Sequence, residues 1–136
     1  PIIGNGDITS PQQAKDYFNR YGVDAIMVGR ATFGCPWIFA DIKNYLFPNM
    51  PPIPSPAGNM AACVEVLKEH VLRAIEWCGN DERKGIVHSR RHLAASPVFK
   101  GLTDFKQTRI ALLRADTKDE VFTIMDEIVT KWGNSK

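Results

Sequence analysis

Two short apolar runs, each followed by a turn that contains glycine, constrain the fold of this chain most. The first run is Ile2-Ile3, which continues into residues 4–8, and the second is residues 25–28, which continue into Gly29-Arg30. Short apolar runs of this kind are typical of strands that are buried on both faces, as in parallel sheets. Because successive strand-and-turn units are the repeat of an α/β barrel, the chain is predicted to contain two such units.

The segment between the two runs predicts a helix that would join parallel strands. Ser10-Pro11 is a typical helix start, with serine as the N-cap and proline at the first helical position. Gly22 is a typical helix end. Strand, helix and strand would form a compact, right-handed βαβ unit. A further helix is predicted to open at Pro36, so residues 1–47 are interpreted as the last βα units of a TIM (β/α)8 barrel.

Residues 48–58 contain five prolines, which exclude a helix or a central strand and predict a semi-rigid linker. Beyond the linker, apolar residues recur at helical spacing through residues 59–136, and we expect a helical domain there. Asn59 is a predicted N-cap, and Thr117 with Glu120 is a predicted capping box. Four helices with short connections predict an antiparallel bundle, over residues 59–78, 81–95, 104–114 and 117–132. The expected fold is therefore mostly α, the C-terminal end of a TIM barrel followed by an all-α four-helix bundle.

Composition restricts the classes of function that remain. The formal net charge is only +2, so any nucleic-acid binding would depend on where the charges lie. The three cysteines form no Cys-x-x-Cys pair, which argues against a disulfide framework and a zinc site and favours a reducing, cytoplasmic location. No apolar run approaches the roughly 20 residues that span a bilayer, and no membrane partner is expected. The chain begins with Pro1 inside a strand pattern, so we expect a piece of a longer protein.

The two turns contain residue types that suit an anion. In Asn5-Gly6-Asp7, glycine allows close approach of the backbone, while the polar side chains can hold a ligand or a neighbouring amide. Gly29-Arg30 supplies backbone amides and a cation, and a following helix would add its dipole. Taken alone, Asn5-Gly6-Asp7 could be an ordinary turn, and Arg30 could be an arginine that contacts only solvent. Their placement after successive parallel strands, where barrel enzymes bind phosphate, favours a phosphate site.

The chain resembles the tRNA-dihydrouridine synthase family, and within it the bacterial branch. The matching blocks are Gly4-Asn5-Gly6-Asp7-Ile8, Met27-Val28-Gly29-Arg30-Ala31, Gly34-x-Pro36-Trp37-Ile38-Phe39, Arg90-Arg91-His92-Leu93, Lys100-Gly101-Leu102 and Arg109. The resemblance implies an FMN-binding barrel and a helical domain that together reduce uridine in tRNA to dihydrouridine, with NADPH as reductant. It also implies FMN contacts from Asn5, Gly6, Asp7, Gly29 and Arg30.

The family's catalytic cysteine lies on an earlier loop of the barrel, so the resemblance implies that this chain contains no catalytic residue. Cys35 follows the Gly29-Arg30 pair, but its block has no catalytic cysteine in the family, and we interpret it as structural. Cys63 and Cys78 are interpreted as core residues of one helix. The isolated chain is therefore expected to be inactive, and its two barrel strands to be exposed enough to favour a dimer.

A basic stretch between residues 83 and 114 contains eight Lys and Arg residues and one acid, Asp104. Such segregation predicts a positive surface for RNA phosphates, although each residue alone could lie on a solvated helix face. The predicted RNA contacts are Arg90, Arg91, Lys100 and Arg109. His88 and His92 lack a third ligand, so no metal is expected. Trp77, Trp132 and Phe105 are predicted to lie in the core.

Two alternatives remain open at this point. The helices could form a nucleic-acid-binding or protein-interaction module that is attached to the remnant of another FMN-binding barrel oxidoreductase. A DNA-binding module would prefer duplex DNA to tRNA, and a protein-interaction module would prefer neither.

Overall fold

The computed structural model describes residues 1–134, so the last two residues of the predicted helical domain lie outside the described residues. The chain divides into two compact units, of which the first is Pro1–Ser55 and the second begins at Pro56. This division falls inside the proline-rich segment 48–58. Helices dominate the described residues, and strands account for two short segments.

The first unit contains the predicted βαβ arrangement. Its elements in chain order are β1 (Ile3–Asn5), α1 (Pro11–Tyr21), β2 (Ala25–Met27), a 3-10 turn (Arg30–Thr32) and α2 (Ile38–Leu46). The strands pair in parallel, with Ile3 opposite Ala25 and Asn5 opposite Met27. Helix α2 begins at Ile38, two residues after the predicted start at Pro36.

Helix α1 begins and ends at the predicted residues. The Ser10 hydroxyl oxygen accepts a hydrogen bond from the Gln13 amide at 3.2 Å. Gly22 adopts a left-handed conformation with φ of 59°, and its amide donates to the Phe18 carbonyl at 3.1 Å. These contacts satisfy backbone groups that a helix end otherwise leaves unpaired, which explains why the two strands are joined by a helix of this length.

The core of the first unit is formed by its two helices and the turn after β1, with Ile26 of β2 packed against it. Ile8, Ala14, Ile38 and Ile42 are buried together, and the half-buried Cys35 packs against them. The strands are not buried on both faces, since Ile2 and Ile3 are 66% and 65% exposed. This exposure agrees with the expectation for two barrel strands in the isolated chain. The reason is physical: two strands without further strands beside them leave their outer face uncovered.

The second unit contains the four α-helices expected beyond the linker, each with ends within two residues of the prediction. They are α3 (Met60–Trp77), α4 (Glu82–Ala95), α5 (Lys106–Arg114) and α6 (Lys118–Trp132), with a 3-10 turn at Pro97–Phe99. Helix α3 contacts α4 and α6, and α5 contacts α4 and α6. The antiparallel bundle topology remains a prediction.

Helix starts in this unit follow the sequence signals. The Asn59 side chain accepts from the Ala62 amide at 3.0 Å. Thr117 and Glu120 form the predicted capping box at the start of α6. At the other end of α6, the Trp132 indole donates to the Thr103 carbonyl at 3.0 Å. Trp132 and Phe105 are both buried, as predicted.

Helices α3 and α4 approach each other closely at Gly85. A methyl group at this glycine would lie 2.4 Å from the Ile75 Cα. One turn later, the buried Ser89 hydroxyl donates to the Gly85 carbonyl at 2.9 Å. Small residues on this face of α4 therefore set the spacing of the two helices.

The core prediction is wrong at Trp77, which is 91% exposed. Buried positions on α3 include Val64, Leu67 and Val71, which recur three and four residues apart. Trp77 lies six residues after Val71, about 240° around the helix, and so outside this apolar stripe. Val87 on α4 and Ile110 on α5 also lie at the surface, 47% and 36% exposed.

Candidate functional site

In the first unit, parallel pairing brings the two polar turns to the same edge of the strand pair. Asn5 lies opposite Met27, so the turns at residues 6–7 and 29–30 leave the strands side by side. They line an open cleft of about 370 Å³ together with Ile8, Thr9 and Ala31. The structure thus brings together all five residues that were predicted to contact the cofactor.

An ion pair joins the two turns across this cleft. The Arg30 Nη2 donates to the Asp7 carboxylate, and both side chains are largely exposed. A guanidinium has five N–H donors, so this pair leaves donors that can meet an anion in the cleft. Because exposed ion pairs contribute only about 0–1 kcal/mol, Asp7 orients Arg30 without locking it.

The glycines of the two turns have different surroundings. A Cβ built on Gly29 meets nothing nearer than the Met27 Cε at 3.9 Å, so a ligand can approach the backbone there. A Cβ at Gly6 would lie 2.1 Å from the Tyr17 hydroxyl, which donates to the Gly6 carbonyl at 2.9 Å. Gly29 therefore leaves space for a ligand, whereas Gly6 allows α1 to fix the first turn.

The expected helix dipole behind Arg30 is absent from this site. Residues Arg30–Thr32 form a single 3-10 turn in which the Thr32 hydroxyl donates to the Gly29 carbonyl at 2.8 Å. Three residues contain too few aligned peptide groups to act as a helix macrodipole. The anion-binding character of the cleft therefore comes from the Arg30 side chain and the adjacent backbone.

In the second unit, two of the four predicted RNA contacts hold helices together. The Arg90 Nη2 donates to the Ala115 carbonyl at 3.2 Å and to the Asp116 carboxylate at 2.9 Å, between α4 and the segment before α6. The Arg109 Nη2 donates to the Ala94 carbonyl at 3.0 Å, at the C-terminal end of α4. Both arginines therefore hold neighbouring segments of the helical unit together through hydrogen bonds.

The other two predicted RNA contacts, Arg91 and Lys100, are exposed. Lys100 and Arg109 border a small depression over Leu93 and Phe99. Arg91 borders a different cleft, which lies between α3 and α4.

This second cleft was missed by the sequence interpretation, and we call it the Trp77 cleft. It has a volume of about 360 Å³ and is lined by His70, Ala74, Trp77, Cys78, Lys84, His88, Arg91 and His92. Lys84, His88 and Arg91 recur four and three residues apart, so they share one face of α4. That spacing was visible in the sequence, but the assignment of Trp77 to the core concealed the cleft.

Two histidines contact each other within the Trp77 cleft. The His70 and His92 ring centroids are 4.3 Å apart. Burial lowers the pKa of His70, and burial, His70 and Arg91 lower the pKa of His92. Both rings are therefore neutral near pH 7, and the fixed cations of the cleft are Lys84 and Arg91. Among residues 1–134, no three His, Cys, Asp or Glu side chains are grouped as a metal site requires.

Comparison with known proteins identifies the family. The family model described as Dihydrouridine synthase (Dus) matches residues 1–129. The chain belongs to the dihydrouridine synthase family. This confirms the resemblance that was drawn from the sequence blocks.

The chain is also similar to curated bacterial proteins. It is 32% identical over 132 residues to tRNA-dihydrouridine synthase B of Shewanella oneidensis, covering 93% of this chain and 37% of that protein. It is 42% identical over 96 residues to tRNA-dihydrouridine synthase B of Escherichia coli K12, covering 69% of this chain and 28% of that protein. The chain thus spans about a third of the length of the relatives it matches. Within the described part of the chain, every helix is too short or too polar to cross a bilayer.

Proposed function

We propose that this chain acts as the C-terminal part of an FMN-dependent tRNA-dihydrouridine synthase, which reduces uridine in tRNA to 5,6-dihydrouridine with NADPH as reductant. The observation that supports this best is the family match over residues 1–129, combined with two polar turns at one edge of parallel strands. In this proposal, residues 1–47 are the last βα units of a TIM barrel, residues 48–58 are a linker, and residues 59–136 are a helical tRNA-binding bundle.

The first cleft fits the phosphate of FMN in its donor chemistry. Arg30 provides a guanidinium, Gly29 provides approachable backbone, and Asp7 orients Arg30. Asn5 and Gly6 would complete the cradle from the neighbouring turn. Bound FMN would supply the hydride that reduces the uracil ring. The task of these residues is to bind and orient the cofactor through its phosphate.

We assign no catalytic residue to this chain. Cys35 packs against the buried cluster of Ile8, Ala14, Ile38 and Ile42, as a structural cysteine does. The chain alone is therefore proposed to be inactive and to hold FMN weakly. Ile2 and Ile3 are exposed at β1, whose second edge has no partner strand among the described residues, and this also supports a dimer through the strands in the isolated chain.

The helical unit is proposed to bind tRNA through phosphate contacts from Arg90, Arg91, Lys100 and Arg109. Arg91 and Lys100 are exposed, which suits this task. Arg90 and Arg109 would combine it with the internal hydrogen bonds described above. A tRNA substrate and the absence of a disulfide pattern in the sequence support a cytoplasmic location.

The cofactor proposal is tested by NMR of the isotopically labelled full chain. Titration with FMN should shift the amide resonances of Gly6, Gly29 and Arg30, and riboflavin, which lacks the phosphate, should shift them much less. Arg30→Ala should remove the response. Arg20→Ala, which removes an exposed arginine from α1, is the matched control and should leave the response intact. Equal shifts with riboflavin and FMN, or shifts confined to other residues, would contradict the phosphate assignment.

A further inference from the structure

Trp77 exposes a large aromatic surface to solvent. It is 91% exposed, whereas Trp37 and Trp132 are 8% and 7% exposed. It ends α3 and forms one side of the Trp77 cleft. Because an indole contributes most when it is covered, such full exposure calls for an explanation other than folding of this chain.

The charge of the cleft indicates which kind of molecule would cover the indole. Lys84 and Arg91 lie on one face of α4 and border the cleft, and His88 lies between them. Among the described residues that line the cleft, none is Asp or Glu. A cleft with two cations and no acid is complementary to phosphate groups.

The size and the rear wall of the cleft favour a single flat group. A volume of about 360 Å³ is near the lower limit for ligand sites and suits one nucleobase, not a duplex. The rings of His70 and His92, whose planes are tilted by 45° and whose centroids are 4.3 Å apart, form a neutral, aromatic part of the same lining as the indole. Aromatic side chains next to cations are the usual combination for binding unpaired nucleotides, whose bases have lost their stacking partners.

We propose that the Trp77 cleft binds one unpaired nucleotide of an RNA, with the base stacked on the Trp77 indole and the adjoining phosphates against Lys84 and Arg91. This inference rests on the proposed function, because it assumes that the helical unit binds tRNA. It adds a base contact to a surface that the sequence predicted to make phosphate contacts only.

The test compares variants of the full chain in their affinity for an unstructured oligouridine and for unmodified tRNA, measured by fluorescence anisotropy of labelled RNA. Trp77→Leu should weaken oligouridine binding about tenfold, since stacking on an aromatic side chain contributes this order of affinity per base. Trp77→Phe keeps an aromatic ring and should weaken oligouridine binding by roughly threefold or less. Because Trp77 is almost fully exposed, neither variant should change the fold.

The cations should behave differently from the indole. Lys84→Gln and Arg91→Gln should each reduce the slope of log affinity against log salt by about one. Trp77→Leu should leave that slope unchanged. Arg73→Gln is the matched control, because Arg73 is exposed on α3, pairs with Glu69 at 2.8 Å and does not line the cleft.

The outcomes separate this inference from the proposed function. If the wild-type chain binds tRNA and Trp77→Leu binds both RNAs equally well, the cleft does not stack a base and the inference fails alone. If the wild-type chain binds neither RNA, both the inference and the proposal that the helical unit binds tRNA fail. A Trp77→Leu variant that loses a protein partner, but no RNA affinity, would assign the indole to a protein interface and overturn the inference.

Discussion

Replacement of Gly85 by alanine tests how tightly α3 and α4 pack. In an exposed helix position this change would stabilise the protein by about 1 kcal/mol, because glycine is the poorer helix former. At Gly85 the new methyl group would lie 2.4 Å from the Ile75 Cα and 2.6 Å from the Ile75 amide nitrogen. Favourable carbon contacts are about 3.5 Å or longer, so the helices would have to separate by about 1 Å.

Overpacking of this kind costs about 1–3 kcal/mol, and the upper part of that range applies because backbone atoms cannot rotate away. After the propensity gain is subtracted, Gly85→Ala is expected to lower the free energy of unfolding by about 1–2 kcal/mol. For a domain of this size that loss corresponds to a melting temperature roughly 5–15 °C lower.

The assay is urea denaturation of the full chain, followed by circular dichroism at 222 nm. Lys84→Ala, at the exposed neighbouring position of the same helix, is the matched control and should change stability by about 0.5 kcal/mol or less. If Gly85→Ala were as stable as the wild type or more stable, helix propensity would outweigh the contact, and the close approach of α3 and α4 would be refuted.

Three further predictions concern stability. Thr117→Ala removes the capping-box acceptor of α6 and should lower the free energy of unfolding by about 1 kcal/mol, measured by urea denaturation; an unchanged midpoint would contradict the cap. Tyr17→Phe removes the hydrogen bond to the Gly6 carbonyl and should lower the free energy of unfolding by about 0.5–1.5 kcal/mol in the same assay; wild-type stability would contradict a role of this bond in holding the first turn. Because the folded-state pKa values of His70 and His92 are lowered from the ordinary 6.5, the unfolded chain binds more protons below that pH, so stability should be complete above about pH 6.5 and fall as the pH drops towards the lowered values. Replacement of both histidines by glutamine should flatten this dependence, and an equally steep profile would contradict the assignment.

Local signals in the sequence predicted the helices and their ends well. Ser10, Gly22, Asn59 and Thr117 mark helix ends through side-chain or backbone hydrogen bonds that depend on a few neighbouring residues. Such bonds are local, so a single sequence contains the information that specifies them.

The joint placement of the two polar turns was also predictable, because parallel strands that are joined by one helix bring their carboxyl ends to the same edge. The contacts that each turn makes were not predictable. The Arg30–Asp7 ion pair depends on residues 23 positions apart, and the 3-10 turn replaces the helix that was expected there.

The Trp77 cleft could not be predicted from hydrophobicity, because an exposed tryptophan and a buried one contribute equally to an apolar count. Only its angular position on α3 separates Trp77 from the core stripe. In the same way, the basic stretch gave no sign that Arg90 and Arg109 bind carbonyl groups of neighbouring segments, since those contacts form only when the helices pack.

The measurement that tests the central claim most directly is binding of the full chain to unmodified tRNA and to duplex DNA of equal length, at low and at moderate salt. The account predicts tighter binding to tRNA, with an affinity that falls as salt rises because phosphate contacts release counterions. Equal affinity for the two nucleic acids, or binding to neither, would contradict the assignment of the helical unit to tRNA and leave only the family relationship of the chain.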